Sequence, residues 1–284
     1  MKNADGIKQS KTQSKSQSSV KGQNGHDLST KAHSISSTQA LRSTTNQYVN
    51  FVKENYVGKI AGNINNETAL AFLNSKRESI TGGSLNTMIS TIAKMADNLN
   101  ALGINTINRK EITDHREQLK ANGTNLQSEH INRAYRCPSE IVSNMNINTP
   151  YGLSCILQLA CGLRAGDCID SKKWTINQDN SLHIKGSKGG INYNTKPMSE
   201  DLANRVREAI HEGYKVGYNE YLEAFKENIG NNEYYGTHGL RFNFCQERVE
   251  ELKNEGYTES EALSQTSLEL GHSRQEISNW YRIF

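Results

Sequence analysis

A phenol, two imidazoles and a guanidinium stand close together in the last 47 residues of the sequence. His238 and Arg241 lie in Thr237-His238-Gly239-Leu240-Arg241, His272 closes Leu270-Gly271-His272, and Tyr281 follows nine residues later. Positions i and i+3 share a helix face, so His238 and Arg241 project together. Thr237 is an expected N-cap, which aims the helix N-terminus at the same place and favours an anion there. Upstream, Leu163-Arg164-Ala165-Gly166-Asp167 supplies a second guanidinium, with an acid three residues on to hold it. A guanidinium matches phosphate oxygens with two parallel hydrogen bonds and keeps its charge at any working pH. Ile184-Lys185-Gly186-Ser187-Lys188-Gly189-Gly190 puts lysines on a hairpin tip, from which one can reach a DNA groove and donate a proton. The set suits a phenolic oxygen attacking a phosphodiester whose charge the cations hold.

Taken singly, each residue has a plainer reading. Arg164 suits the C-terminal end of a helix dipole, and the lysines suit a solvated turn. His272 reads as a surface histidine, and Tyr281 beside Trp280 as a packed terminal aromatic. The hairpin glycines do not make a nucleotide loop, because G-x-x-x-x-G-K-[ST] is absent and no strand-to-helix step follows.

The elements that must position these residues can be read from spacing. Leu85, Met88, Ile92, Met95, Leu99 and Leu102 step by three and four, one apolar stripe of a helix that Gly103 ends. Weaker patterns over Ala40–Tyr56, Glu67–Ile80, Lys110–Asn122 and Glu129–Arg136 predict a bundle of four or five helices, with Tyr48, Phe51, Val52 and Tyr56 on one buried face. Two of the three prolines, Pro138 and Pro150, mark a domain boundary near residue 140. Beyond it a helix over Tyr151–Cys161 ends at Gly162, and β-like pieces follow at Trp174–Asn177, Ser181–Ile184 and Ile191–Pro197. Ser199–Asn228 reads as helical, as do residues 238–254, 259–269 and 274–281. Thr258-x-x-Glu261 and Ser273-x-x-Glu276 are capping boxes, the second starting the helix that carries Tyr281. The fold class expected is mainly α with a small antiparallel hairpin or sheet (α+β).

The chain has 284 residues, a mean hydropathy of −0.73 and a net charge of +3. The first 35 residues hold six lysines against two aspartates, a net +4, so the remainder is near −1. Rich in Ser, Gln, Lys and Asn and without an aromatic residue, this tail is expected to be disordered. It reads either as an arm touching phosphates or as an inert leader. The domains expected are a tail at 1–35, a helical DNA-binding domain at 36–140 and a catalytic domain at 141–284. No run approaches the ~18 apolar residues of a membrane span, and no secretory signal is present. Cys137, Cys155, Cys161, Cys168 and Cys245 form no C-x-x-C pair, so they read as reduced thiols in a cytoplasmic protein, and their spacing is not that of a zinc knuckle.

Residues from about 140 to 284 resemble the catalytic domain of tyrosine recombinases, the phage-integrase family. The pieces carrying the resemblance are Gly162-Leu163-Arg164-x-x-Asp167, Lys185-Gly186-x-Lys188, His238-Gly239-Leu240-Arg241, Leu270-Gly271-His272 and Tyr281, in order and in context. The helical region before them merely suits the family's DNA-clasping domain. Two intervals depart from the family pattern. Arg241 to His272 is long, with an acidic helical stretch at 246–261, and Arg164 to His238 is short. Little chain follows Tyr281, so any C-terminal contact to a neighbouring protomer is expected to be very short or to come from elsewhere.

The resemblance implies a site-specific DNA recombinase or integrase, of the kind found on mobile genetic elements. It implies that Tyr281 forms a covalent 3′-phosphotyrosyl link, although a free phenol has a pKa of about 10 and needs help. Arg164 and Arg241 would hold the non-bridging oxygens, His272 would bond the phosphate, and His238 would move the phenol proton. Lys185, with Lys188 next, would protonate the 5′-oxygen, and Asp167 would orient an arginine. No metal, nucleotide or other cofactor is implied. Double-stranded DNA is the implied partner, bound by a tetramer that is monomeric when free, with accessory DNA-bending proteins compatible and no membrane involved. Two alternatives share these residues: a type IB topoisomerase that relaxes DNA as a monomer, and a non-catalytic DNA-binding module, which has no use for Tyr281.

Overall fold

The chain divides into two units, Met1–Glu129 and His130–Phe284. The computed structural model describes residues 11–18, 20–21, 25–121, 132–272 and 281. In the first unit a short helix α1 (Lys11–Ser16) precedes α2 (Ile35–Asn55), α3 (Asn66–Ser75), α4 (Gly82–Asn100), α5 (Arg109–Asp114) and α6 (Arg116–Ala121). Of the predicted stripe on α4, Leu85, Ile92 and Met95 are buried in the core with Tyr48, Val52, Phe72 and Leu73, Met88 and Leu99 are partly buried against it, and Ile89 and Ala96 join the same face. The stripe stops earlier than expected. Gly103 turns the chain at φ 78, and Leu102, beyond the helix, is exposed. The helix expected over Lys110–Asn122 is broken at His115, which caps α5.

Several described residues of the tail differ from its expected disorder. Ser14, Ser29 and Ala32 are buried, and the Ser14 and Ser29 hydroxyls share a hydrogen bond of 2.7 Å. From α4, Lys94 Nζ donates to Lys31 O (3.2 Å) and Asn98 Nδ2 to Thr30 O (3.3 Å). Backbone carbonyls thus find partners on the bundle, which a composition argument about side chains does not register. Ser34 then caps α2 in a capping box with Ser37.

The second unit runs α7 (Pro138–Met145), α8 (Gly152–Cys161), α9 (Ala165–Cys168), a sheet of β1 (Trp174–Ile176), β2 (Ser181–Ile184) and β3 (Tyr193–Pro197), then α10 (Glu200–Glu212), α11 (Tyr218–Glu227), α12 (His238–Asn254) and α13 (Glu259–Glu269). The sheet is antiparallel in order β1-β2-β3, with Trp174 opposite Ile184 and Ile184 opposite Tyr193. The fold class is as expected. The helix read over Ser199–Asn228 breaks at Gly213, and α7 forms where the prolines had suggested only a boundary, Pro138 sitting in its first turn. The helix expected at Glu129–Arg136 is absent over residues 132–136. There Asn243 of α12 takes both backbone groups of Tyr135, accepting from its N–H (2.9 Å) and donating to its carbonyl (2.8 Å), which replaces the bonds a helix would supply. The Thr258–Glu261 capping box forms as predicted. The helix expected over 274–281, with its Ser273 cap, lies outside the described residues except for Tyr281.

Candidate active site

The site is built where α8 ends, where α12 begins and where α13 ends. α8 is apolar on nearly all sides, and Gly162 closes it at φ 63. A side chain there would strike Phe244 and Leu270, at 2.4 and 2.6 Å from its first carbon, so only glycine lets these three segments meet. Gly271 plays the same part at the end of α13, at φ 61 and against the Tyr193 ring. The turns after these two glycines deliver Arg164 and His272 to one place.

Arg241, one turn into α12, is fully buried. Its guanidinium donates to Gly162 O, to Leu270 O (2.5 Å) and to His272 Nε2 (2.9 Å). Because a guanidinium has no acceptor, His272 Nε2 must carry the lone pair and Nδ1 the proton. Arg241 Nε is buried without a partner. Arg164 is half-buried and donates to Ser187 Oγ (3.0 Å) and Gly271 O (3.3 Å), with Asp167 Oδ2 3.8 Å away. Burial, then the charge of Arg241, lowers the Arg164 pKa from its ordinary value. Two guanidinia therefore share the site, and Asp167, buried, is the carboxylate that pairs with Arg164.

Tyr281 is buried beside Phe242, Phe244 and Leu270. Its ring lies 4.5 Å from that of Phe242 and stacks on His272 at 5.7 Å, and its hydroxyl is 3.1 Å from His238 Nε2. Gln246 Nε2 donates to its carbonyl (2.8 Å). Burial, then the charges of Arg241, Arg164, Arg133 and Lys188, push the His238 pKa down to about 4. His238 keeps a solvent-exposed edge. Solvent there softens the burial penalty, and the four cations still favour the neutral ring. Burial, then the charges of Arg241 and Arg164, hold His272 down to about 3. Both rings are thus neutral near pH 7: His238 can accept a proton, whereas His272, whose Nε2 already accepts from Arg241, can act only as a neutral donor through Nδ1.

The hairpin lysines are both exposed. Lys188, at the tip, carries a charge that bears on His238. Thr237 precedes α12 as expected, but its side chain makes no capping bond. Several contributors were not anticipated. Lys173 donates to Asp167 Oδ1 (3.3 Å) and to Gly166 O. Tyr193 places its ring under Arg164 (5.9 Å) and its hydroxyl 3.4 Å from Asp167 Oδ2. Ser187 joins Arg164 to Asp167. Of these only Ser187, inside the Lys-Gly-Ser-Lys run, lies within a stretch the sequence marks for chemistry; Tyr193 lies in a segment read only as a strand. Four of the five cysteines are buried and free, away from any ligand cluster, and among the described residues no group of His, Cys, Asp or Glu could hold a metal ion. No helix of the described residues is long and apolar enough to cross a membrane.

No protein-family model matches the sequence, and no curated protein does. Solved structures do match the fold. One is a lambda integrase dimer bound to a COC′ core site: 15% identity over 86% of this chain and 77% of that one, TM-score 0.53. Another is the XerH site-specific recombinase in a post-cleavage complex with palindromic difH substrate: 12% identity over 88% of this chain and 76% of that one, TM-score 0.55. A third is a lambda integrase tetramer on a Holliday junction: 14% identity, 89% and 82% covered, TM-score 0.50.

Proposed function

We propose that this chain, which has the tyrosine-recombinase fold, is a site-specific DNA recombinase that cuts and rejoins DNA through a 3′-phosphotyrosyl link at Tyr281. The observation that carries the reading is the 3.1 Å contact of the Tyr281 hydroxyl with His238, a neutral base, beside two guanidinia. Tyr281 Oη attacks phosphorus while its proton passes to His238 Nε2. Arg164, Arg241 and His272 hold the non-bridging oxygens, whose charge grows as the bond forms. The P–O5′ bond breaks, and O5′ takes a proton from the hairpin. We assign that role to Lys188, whose charge bears on His238, with Lys185 as the second candidate. Asp167 orients Arg164. A 5′-hydroxyl then attacks the phosphotyrosine and reverses each step, so no nucleotide is consumed and no metal is called for. Strand exchange between two duplexes takes four cleavages, and hence four copies on DNA.

The test is covalent trapping on nicked duplexes drawn from the DNA beside the gene. A detergent-stable protein–DNA band that disappears in Tyr281→Phe, while binding persists, supports the reading. A band of equal intensity in Tyr281→Phe refutes the nucleophile. Relaxation of supercoiled plasmid by the monomer, without exchange of partners, would redirect the assignment to a topoisomerase.

A further inference from the structure

Ser187 sits between the two hairpin lysines, yet it is 4% exposed while its neighbours on both sides face solvent. Its hydroxyl accepts from Arg164 Nη1 (3.0 Å), because a guanidinium can only donate. Its one proton therefore goes to Asp167 Oδ2 (2.5 Å). The hydroxyl is thus inserted between the arginine and the acid that faces it. Around it the tip is short: Ser187 N–H donates to Ile191 O (2.9 Å), Gly190 N–H to Ser187 O (2.8 Å), and Gly186 N–H to Asn192 Oδ1 (2.9 Å).

We propose that Ser187 is a positioning residue whose buried hydroxyl ties the β2–β3 hairpin to the Arg164–Asp167 pair and so sets Lys188 for protonation of the leaving 5′-oxygen. This rests on the function proposed above. The alternative is that Ser187 serves Arg164. Arg164, however, keeps Gly271 O (3.3 Å), the Tyr193 ring and Asp167 when the hydroxyl is removed. Asp167 keeps Lys173 (3.3 Å) and the Tyr193 hydroxyl (3.4 Å). The glycine-rich tip keeps its own turn bonds and, at its base, Lys185 N–H to Lys173 O (2.9 Å), but among residues 185–190 the Ser187 side chain is the one bonded to the pair. The tip is therefore what loses its position. Lys188, the next residue along, moves with it. A displacement of about 1 Å in a reacting group costs on the order of a hundredfold in rate.

The two roles separate by leaving group. An alkoxide needs a proton as it departs; a thiolate, whose conjugate acid has a pKa near ~8.5, does not. Single-turnover cleavage is measured on a nicked duplex with the ordinary 5′-bridging oxygen and on one with sulfur in its place. Ser187→Ala should slow the oxygen substrate by roughly 10- to 100-fold and the sulfur substrate by less than about threefold. Lys188→Ala should show the same pattern, and Ser187→Thr, which keeps the hydroxyl, should recover most of the oxygen rate. Equal slowing on both substrates would overturn the proposal and assign the hydroxyl to Arg164. Unchanged rates on both would overturn it outright. A melting curve confirms that Ser187→Ala is folded; if it is not, Ser187→Cys, a poorer acceptor of similar size, replaces it. Wild-type protein and Tyr281→Phe are run alongside. Tyr281-independent cleavage would overturn the proposed function itself, a failure distinct from any pattern at Ser187.

Discussion

Arg241 and Arg164 carry the same charge but are held in opposite ways. Arg241 is fully buried and bonds two main-chain carbonyls, Gly162 O and Leu270 O, so it fastens the ends of α8 and α13 to α12. Arg164 is half-buried and bonds groups at the rim. Arg164→Ala and Arg241→Ala should each slow cleavage by about a hundredfold, roughly 3 kcal/mol of transition-state charge stabilisation. Only Arg241→Ala should also lower stability, by about 1–3 kcal/mol for each buried carbonyl left unpaired. Denaturant melts beside single-turnover rates separate the effects, and equal melting of both variants would contradict the division of labour. His238 gives a prediction in pH. With its pKa held down to about 4, the ring stays neutral, and able to take the phenol proton, well below the ordinary histidine range. As pH falls, protonation removes the base and cleavage declines. The lowered pKa moves that decline from near ~6.5 toward more acidic pH. The second-order cleavage rate, which reports the free protein, should therefore be flat from pH 7 to about 6. A fall centred on 6.5 would show an unshifted histidine.

At the scale of elements, α12 and α13 decide where His272 stands. Arg248 donates from Nε and Nη2 to both oxygens of Glu269 (2.9 and 3.0 Å), and the two side chains are 11% and 5% exposed. Glu269 precedes Leu270, Gly271 and His272, so this fork sets the height of α13 against α12. Burial works against the Arg248 charge, but Glu269 and Glu251 outweigh it and raise its pKa. Removing the arginine leaves Glu269 with Gln265 alone, whereas removing the acid leaves Arg248 with Glu251 (3.0 Å) and Glu255 (3.8 Å). Arg248→Met should thus cost about 3–5 kcal/mol, as for a buried charge stripped of its partner. Glu269→Gln should cost about 1.5–3 kcal/mol, the scale of a charged hydrogen bond. Urea melts give the order, and the reverse order would sink this account. The fork also marks where sequence reading stops. The extents of α8, α12 and α13 and strand β2 were legible, because apolar spacing, Gly162 and the Thr258 capping box are local signals. Arg164, His238, Arg241, His272 and Tyr281 were legible as chemistry-bearing types at element ends. Arg248–Glu269, Lys173–Asp167, the carbonyl anchors of Arg241 and the Asn243 pincer on Tyr135 were not. Each joins groups by tertiary contact, and a carbonyl has no signature in a one-letter code.

For the whole molecule, the question is how its charge is deployed, since the first 35 residues carry a net +4 and the rest of the chain is near −1. A free arm and a built-in part of the first unit make different predictions. Lys15 and Lys21, from the tail, line a groove of about 1360 Å³ together with Lys94, Arg109, Lys110 and Arg116, and Asp97 and Asp114 are its acids. Asp97 pairs with Arg109 and Lys21 with Asp27, so part of this charge is already balanced. A chain beginning at Ser34 keeps the cap of α2 but loses the tail carbonyls that Lys94 and Asn98 bond. At about 1 kcal/mol for each such hydrogen bond, the truncation should lower the melting temperature measurably. A purely disordered arm would leave it unchanged. If Lys15 and Lys21 also touch DNA phosphates, the slope of log K against log salt should become shallower by about 2, near 0.9 for each phosphate no longer neutralised. Melting and salt titration on the same pair of proteins separate the cases. Lower stability with an unchanged slope makes the tail a structural strap. A shallower slope with unchanged stability makes it an arm. Changes in both make it one wall of a basic groove, the outcome expected from the burial of Ser14, Ser29 and Ala32 beside those lysines.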